Sequence, residues 1–407
     1  MKRKTIAALI AVLTVGMMST SVWAAKSISQ IIPEAPVVIT GNLTGNQTLV
    51  VVNANTNAYK NTTVAEVVKK ANDDNTITTV KEVLAELKVD TKTEEIKTTT
   101  GTTVNPTLYE QITPFVDLAI KENDKITYET TGAIQATITV EAAKEMKKKD
   151  VLLMQIDPNN GKVYFVAPEK LDSKTGEITA TFQTLGPVAV LKTVPIVVKD
   201  TDPEKYENEK VTEAVTQFKD ETKDVKLADV LNILTTEDTT AIQVADGVTI
   251  NAADYSTAMG FADLAIKQGE DYLYDMDGSL EAEANRDLAS TDWQKLVQSV
   301  NPDYDIAAAE ADPSLLTELE PFTIPGSFLM QINPVTGVAE YIYEPELYFA
   351  LPNSGEDEKE TEDDVEEVRT SWTVEDETAS EDTPNLVIRA EFKSMGPFAI
   401  FLPNDAQ

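Results

Sequence analysis

A nine-residue block that occurs twice sets the terms for this chain. Leu153–Gly161 reads LMQIDPNNG and Leu329–Gly337 reads LMQINPVTG. Each is an apolar run, then a Pro-containing turn closed by Gly. A second block follows each copy, FQTLGPVA at Phe182–Ala189 and FKSMGPFA at Phe392–Ala399. Two blocks recurring in the same order point to a duplicated unit.

Other correspondences extend the pattern. Tyr59, Asn61, Val64 and Glu66 return as Tyr206, Asn208, Val211 and Glu213. Val80, Val83, Leu84 and Leu87 return as Leu227, Val230, Leu231 and Leu234, at the i, i+3, i+4, i+7 spacing of an amphipathic helix. Phe115–Lys121 (FVDLAIK) returns as Phe261–Lys267 (FADLAIK). Thr63 with Glu66 and Thr79 with Glu82 have the spacing of capping boxes and predict helix starts. Leu108–Lys121 reads as a third helix. Ile134, Ala136 and Ile138 alternate with polar residues, as do Ile178, Ala180 and Phe182, which predicts half-buried strands. The expected fold class is α+β: two tandem homologous units, each with amphipathic helices followed by an antiparallel sheet of hairpins.

The expected boundaries are a signal peptide at 1–24, a first unit at 25–193 with N-terminal strands, a linker at 194–204 and a second unit at 205–407. The second unit carries two expansions. One, residues 285–327, predicts helices at Asp287–Val300 and Ile306–Leu319, with Trp293 on the first and Pro313 interrupting the second. The other is an acidic loop, 353–385. From Glu356 to Asp382 it holds 14 acidic and two basic residues and reads as a solvated tether, with Trp372 and Val374 hinting at a strand.

Lys2, Arg3 and Lys4 precede an apolar stretch to about Val22, and Val22-Trp23-Ala24 has the form of a cleavage site. The chain is therefore expected to be a bacterial-type exported protein, secreted or associated with the cell surface after cleavage near Ala24. The net charge is −35. Residues 25–193 hold 18 Lys/Arg against 21 Asp/Glu; residues 194–407 hold 13 against 48. Such a polyanion repels phosphates and anionic lipid, so nucleic acid and membrane are not the expected partners. An extracellular protein or glycan is. Lys144, Lys147, Lys148 and Lys149 form a basic cluster that would suit an acidic partner, including the acidic half of a second copy.

The chain has no Cys and no His. Triads built on Ser-His or Cys-His, the usual zinc sets and thiol redox chemistry need those residues. No Gly-rich phosphate loop occurs either. The functional expectation is an exported non-catalytic interaction or surface-associated protein, binding through loops of the second unit, with no assigned catalytic residue. One alternative is a secreted hydrolase using Asp and Glu alone. Another is an acidic calcium-binding structural protein. Calcium, as a candidate cofactor, is placed at Asp275, Asp277, Glu281 and Glu283, where Asp275-Met-Asp277-Gly278 offers hard oxygen ligands without the full EF-hand spacing.

Overall fold

The computed structural model describes residues 37–41, 43, 45–74, 79–91, 95–219, 225–268, 271–276, 278–288, 290–350, 368–377 and 384–404. The stretch expected to be a signal peptide, Asp277 and most of the acidic loop lie outside them.

The α+β expectation, with two tandem helix-plus-sheet units, is overturned. The described residues form 24 strands in five sheets, and the α-helices run from 6 to 11 residues. The largest single correction is Leu108–Lys121. It holds a 3-10 turn, Pro106–Leu108, and the strands Tyr109–Gln111 and Val116–Glu122. Val116–Ile120 is buried at every position, because the strand lies inside a sheet with both faces covered. A short continuous apolar run carries no period and cannot separate such a strand from a buried helix. Its counterpart, Ala262–Gln268, is a strand for the same reason.

Two seven-stranded sheets share one order. In the N-terminal half it is Thr48–Asn53, Val116–Glu122, Gly186–Thr193, Val151–Ile156 and Val163–Val166. In the C-terminal half it is Ile196–Asp200, Ala262–Gln268, Gly396–Pro403, Phe328–Ile332 and Ala339–Tyr343. The stretch read as a linker thus contributes a strand. A four-stranded sheet accompanies each: Val37–Thr40, Ile134–Thr139, Glu177–Phe182 and Lys170–Asp172 in one half, Glu346–Ala350, Asn385–Phe392, Leu280–Arg286 and Ser371–Val374 in the other. In the N-terminal half Ile138 and Phe182 of the smaller sheet face Val51, Leu118 and Val190 of the larger, so the two pack as a sandwich. All named strand pairings are antiparallel except Leu280–Arg286 with Ser371–Val374, which is parallel.

What recurs between the halves is a set of contacts. The hairpin blocks pair as expected, Val151–Ile156 with Val163–Val166 and Phe328–Ile332 with Ala339–Tyr343. Gln155 is fully buried; its amide donates to Thr184 O at 2.7 Å and accepts from Gln183 N at 3.1 Å. Gln331 does the same with Ser394 O and Lys393 N. The glutamine of the first block clamps the turn of the second, which is why the two blocks travel together. Asn61 and Asn208 cap the helices Thr62–Lys69 and Glu209–Phe218, and their own N–H groups donate to Pro158 O and Pro334 O, both at 2.9 Å. The first cap is thus Asn61 and not Thr63, whereas the Thr79–Glu82 capping box forms as expected. A Cβ on Gly161 or Gly337, both at positive φ, would fall 2.8 and 2.6 Å from the Asn61 and Asn208 amides. The turn and the cap are therefore built against each other. Met154, Met330, Phe182 and Phe392 are core residues, as their pattern predicts.

Each half also buries one carboxylate on the same three donors. Asp117 accepts from Tyr59 Oη at 2.5 Å, Tyr128 Oη at 2.5 Å and Asn55 N at 2.8 Å. Asp263 accepts from Tyr206 Oη at 2.5 Å, Tyr274 Oη at 2.7 Å and Asp202 N at 3.0 Å. The ring pairs stand edge to face at 5.7 and 5.6 Å. Burial raises both Asp groups above the ordinary carboxylate range, against the pull of their donors. Burial, then the adjacent Asp, raises all four tyrosines far above theirs.

The sign of the linkage follows. A raised folded-state pKa means the native protein keeps protons that the unfolded chain gives up near pH 10. The stabilisation is complete below about pH 10 and is lost as pH rises beyond it. Denaturant midpoints should therefore fall steeply above that pH. Tyrosinate absorbance of these four rings should appear with unfolding and not before, and each Tyr→Phe change at 59, 128, 206 or 274 should remove one proton from the alkaline slope.

Candidate functional site

The Thr-rich stretch before the first large sheet folds into a tight loop. Thr98 N donates to Thr102 O at 2.8 Å, Val104 N to Ile96 O at 2.9 Å, and Thr99 N pins the loop to the sheet edge through Phe165 O at 2.8 Å. Asn105 then caps the 3-10 turn, accepting from Thr107 N at 3.1 Å. Its amide also reaches across to Ser279 O at 3.4 Å, in the C-terminal half. Nearby, Lys81 and Asp275 form a 2.8 Å ion pair between the halves. A cleft of about 570 Å³ lies along this junction. Ile96, Val104, Pro106 and Leu108 supply an apolar wall from one half; Ser279, Glu281 and Glu391 line it from the other, with Arg369, Thr370 and Trp372.

These last three residues belong to a strap, Val368–Glu377, that comes from within the acidic loop. The expected tether is, over this stretch, an anchored strand. Arg369 N donates to Lys149 O at 2.8 Å, and Arg369 Nε to Asp150 at 2.6 Å, so the end of the basic cluster receives the chain's own acidic loop. Ser371–Val374 pairs with Leu280–Arg286, with Trp372 and Val374 on the buried side. Asp376 and Arg286, both buried, form a 2.8 Å ion pair, and Asp287 N donates to the same carboxylate at 3.1 Å. Glu377 receives Lys267 and the Tyr272 hydroxyl. The strap is thereby tied to the N-terminal half at one end and to the C-terminal sheets at the other.

Two polar groups beside the cleft are unmatched, on opposite faces of the sheet, since Ser371 and not Trp372 is in register with Glu281. Trp372 is 8% exposed, and its Nε1–H has no partner among the described residues. Glu281 is exposed and its carboxylate likewise has none. The other charges are compensated. Lys393 and the Ser279 hydroxyl hold Glu391 below the usual carboxylate range. Thr103 and Lys97 do the same for Glu95. Arg369 is matched by Asp150. Behind the pair lies the Tyr109 hydroxyl, without a described partner and pushed up first by burial and then by Asp150.

The four residues expected to hold calcium do not share one set of contacts. Asp275 is paired with Lys81, Glu283 with Arg389 at 2.5 Å, and Glu281 lines the cleft; Asp277 lies outside the described residues. Among the described residues no group of three or more Asp, Glu, His or Cys is placed to hold a metal ion. Sequence reasoning found Glu281 and Trp372 for other reasons, and missed Arg369, Asn105 and Glu391. Nothing in their local sequence marks them, since strand pairing and the interhalf junction bring them together.

The strap's anchor is open to test. Replacing Arg286 by Met strands a buried carboxylate and should cost about 3–5 kcal/mol in urea unfolding, whereas the double change Arg286→Met with Asp376→Leu should recover most of it. Among the described residues no helix is long and apolar enough to cross a membrane. No protein-family model, curated protein or solved structure matches the chain.

Proposed function

We propose that this chain is an exported, non-catalytic interaction module that takes its partner in the cleft between its halves. The basic n-region, apolar stretch and Val22-Trp23-Ala24 site support export. The observation that carries the binding reading is the open cleft of about 570 Å³ at the junction, with an apolar wall from one half and the exposed carboxylate of Glu281 on the other. The partner surface differs from the second-unit loops expected at first, because the 95–108 loop of the N-terminal half forms one wall.

Glu281 and Glu391 stand opposite each other on neighbouring strands, which is the observation that favours a carboxylate hydrolase as the second reading. A glycosidase needs one carboxyl held protonated, with its pKa raised. Glu391 and Glu95 are both held low.

Export predicts that protein recovered from the medium or surface fraction of an expressing bacterial host begins at Ala25, as read by intact mass. For the cleft, the absence of native Cys permits a single label. A Thr370→Cys variant carrying a bulky maleimide should lose binding to ligands selected from glycan and displayed-peptide panels. A Ser173→Cys variant, labelled on an exposed turn outside the cleft lining, should keep it. Ligands indifferent to the Thr370 label, or no selected ligand at all, would count against the cleft. Turnover of a selected ligand that is lost in Glu281→Gln would favour the hydrolase.

A further inference from the structure

The two halves differ in how one side of the sandwich is closed. In the C-terminal half the strap closes it. Ser371–Val374 pairs with the smaller sheet, and Asp376 then bridges to Val198 on the edge of the larger one. Val198 N donates to Glu375 O at 3.0 Å, and Glu377 N donates to Val198 O at 2.9 Å. Val198 is fully buried there. In the N-terminal half its counterpart is Val51: Val198 stands opposite Leu264 and Val51 opposite Leu118. The shared register turns the N–H and C=O of Val51 outward as well. Among the described residues no strand or bridge pairs with that edge, and Val51 is only half-buried. Beside it lies an apolar opening between the two sheets, lined in part by Val51, Val116, Ile138 and Phe182.

We infer that residues 25–36 of the same chain dock on this edge, in the place that the strap takes in the other half. They lie outside the described residues and lead directly into Val37. Val37 stands opposite Thr137 in an antiparallel pairing, so the chain ahead of it arrives beside Ile138, at the opening. The composition suits an apolar edge: residues 25–36 read AKSISQIIPEAP, with one Lys, one Glu and three Ile. Ile31 and Ile32 supply the apolar side chains for the opening, the part that the buried Val374 plays on the strap. Pro33 has no N–H to donate, which an edge strand tolerates. A second copy would bring the same residues, but a segment joined to the site at Val37 acts at a far higher effective concentration than a free one. An uncharged edge such as Leu49–Val52 invites pairing with other chains when left bare, and cover by the chain's own start removes that hazard.

The test is amide hydrogen exchange of the chain from Ala25, read at single residues by mass spectrometry with fragmentation. The outward amide of Val51 is expected to exchange slowly, as that of Val198 does. Changing Ile31→Asp together with Ile32→Asp should speed exchange at Val51 by about tenfold or more, the worth of a buried isoleucine, and leave Val198 unchanged. Adding the free peptide 25–36 in excess should restore the protection. If the aspartates unfold the chain, seen as fast exchange at both valines, Ile31→Ala with Ile32→Ala reads the same loss without adding charge. Fast exchange at Val51 in the unsubstituted chain would overturn the inference, and so would slow exchange that neither variant changes. Protection that disappears on dilution would overturn it too, by assigning the edge to a second copy.

Discussion

Two carboxylates buried on tyrosine hydroxyls hold the architecture together. Asp117 and Asp263 each sit at 0% exposure as the second residue of a strand, between apolar neighbours. Taking a charge out of water is costly unless hydrogen bonds replace the lost hydration. Three donors do so here, and they come from separate places: a backbone N–H before or at a short 3-10 turn, a tyrosine just after that turn, and a tyrosine after the neighbouring hairpin. Each Asp therefore fixes the entry of a helix relative to the large sheet beneath it. If a donor is displaced, a buried charge is left short of its partners, so the arrangement tolerates little slack.

That fixed entry positions the rest. The helix cap at Asn61 is seated on the DPNNG turn, and the turn is held by the strand whose Gln155 clamps the Thr184 turn. The same chain of contacts runs through Asn208, Pro334, Gln331 and Ser394. Rigidity of this kind matters for a cleft built at a junction. The Asn105–Ser279 and Lys81–Asp275 contacts are a single weak hydrogen bond and a partly exposed ion pair, and neither contributes much alone. The cleft keeps its shape because the frames on either side do.

The strongly alternating segments were legible in the sequence: Ile134–Thr139 and Glu177–Phe182 are strands, and the helices Ser290–Val300 and Ile306–Ala311 lie within the expected stretches 287–300 and 306–319, the second ending before Pro313. The fold class was not, because Val116–Ile120 and Ala262–Ile266 are buried at every position and carry no period. A signal was nevertheless present. An Asp kept in the middle of two matching apolar runs, with a Tyr recurring ahead of each, is costly unless the two meet. Tyr128 and Tyr274 complete the sets, and no local pattern points to them. The cleft was illegible for a related reason: Asn105, Glu281, Arg369 and Glu391 become neighbours through strand order, which local sequence does not encode.

The two smaller sheets differ in one respect that bears on the cleft. In the N-terminal half, the outer neighbour of Ile134–Thr139 is Val37–Thr40, antiparallel and drawn from the start of the described chain. In the C-terminal half, the outer neighbour of Leu280–Arg286 is Ser371–Val374, parallel and drawn from the acidic loop. A parallel neighbour needs a long connection, and residues 287–370 separate the two strands along the chain. The consequence is local. The strap brings Arg369 to Asp150 and Trp372 to the cleft wall, where an antiparallel strand like Val37–Thr40 would carry neither. An insertion that fills a sheet edge thus also furnishes part of the cleft wall, on a scaffold already fixed by the buried carboxylates.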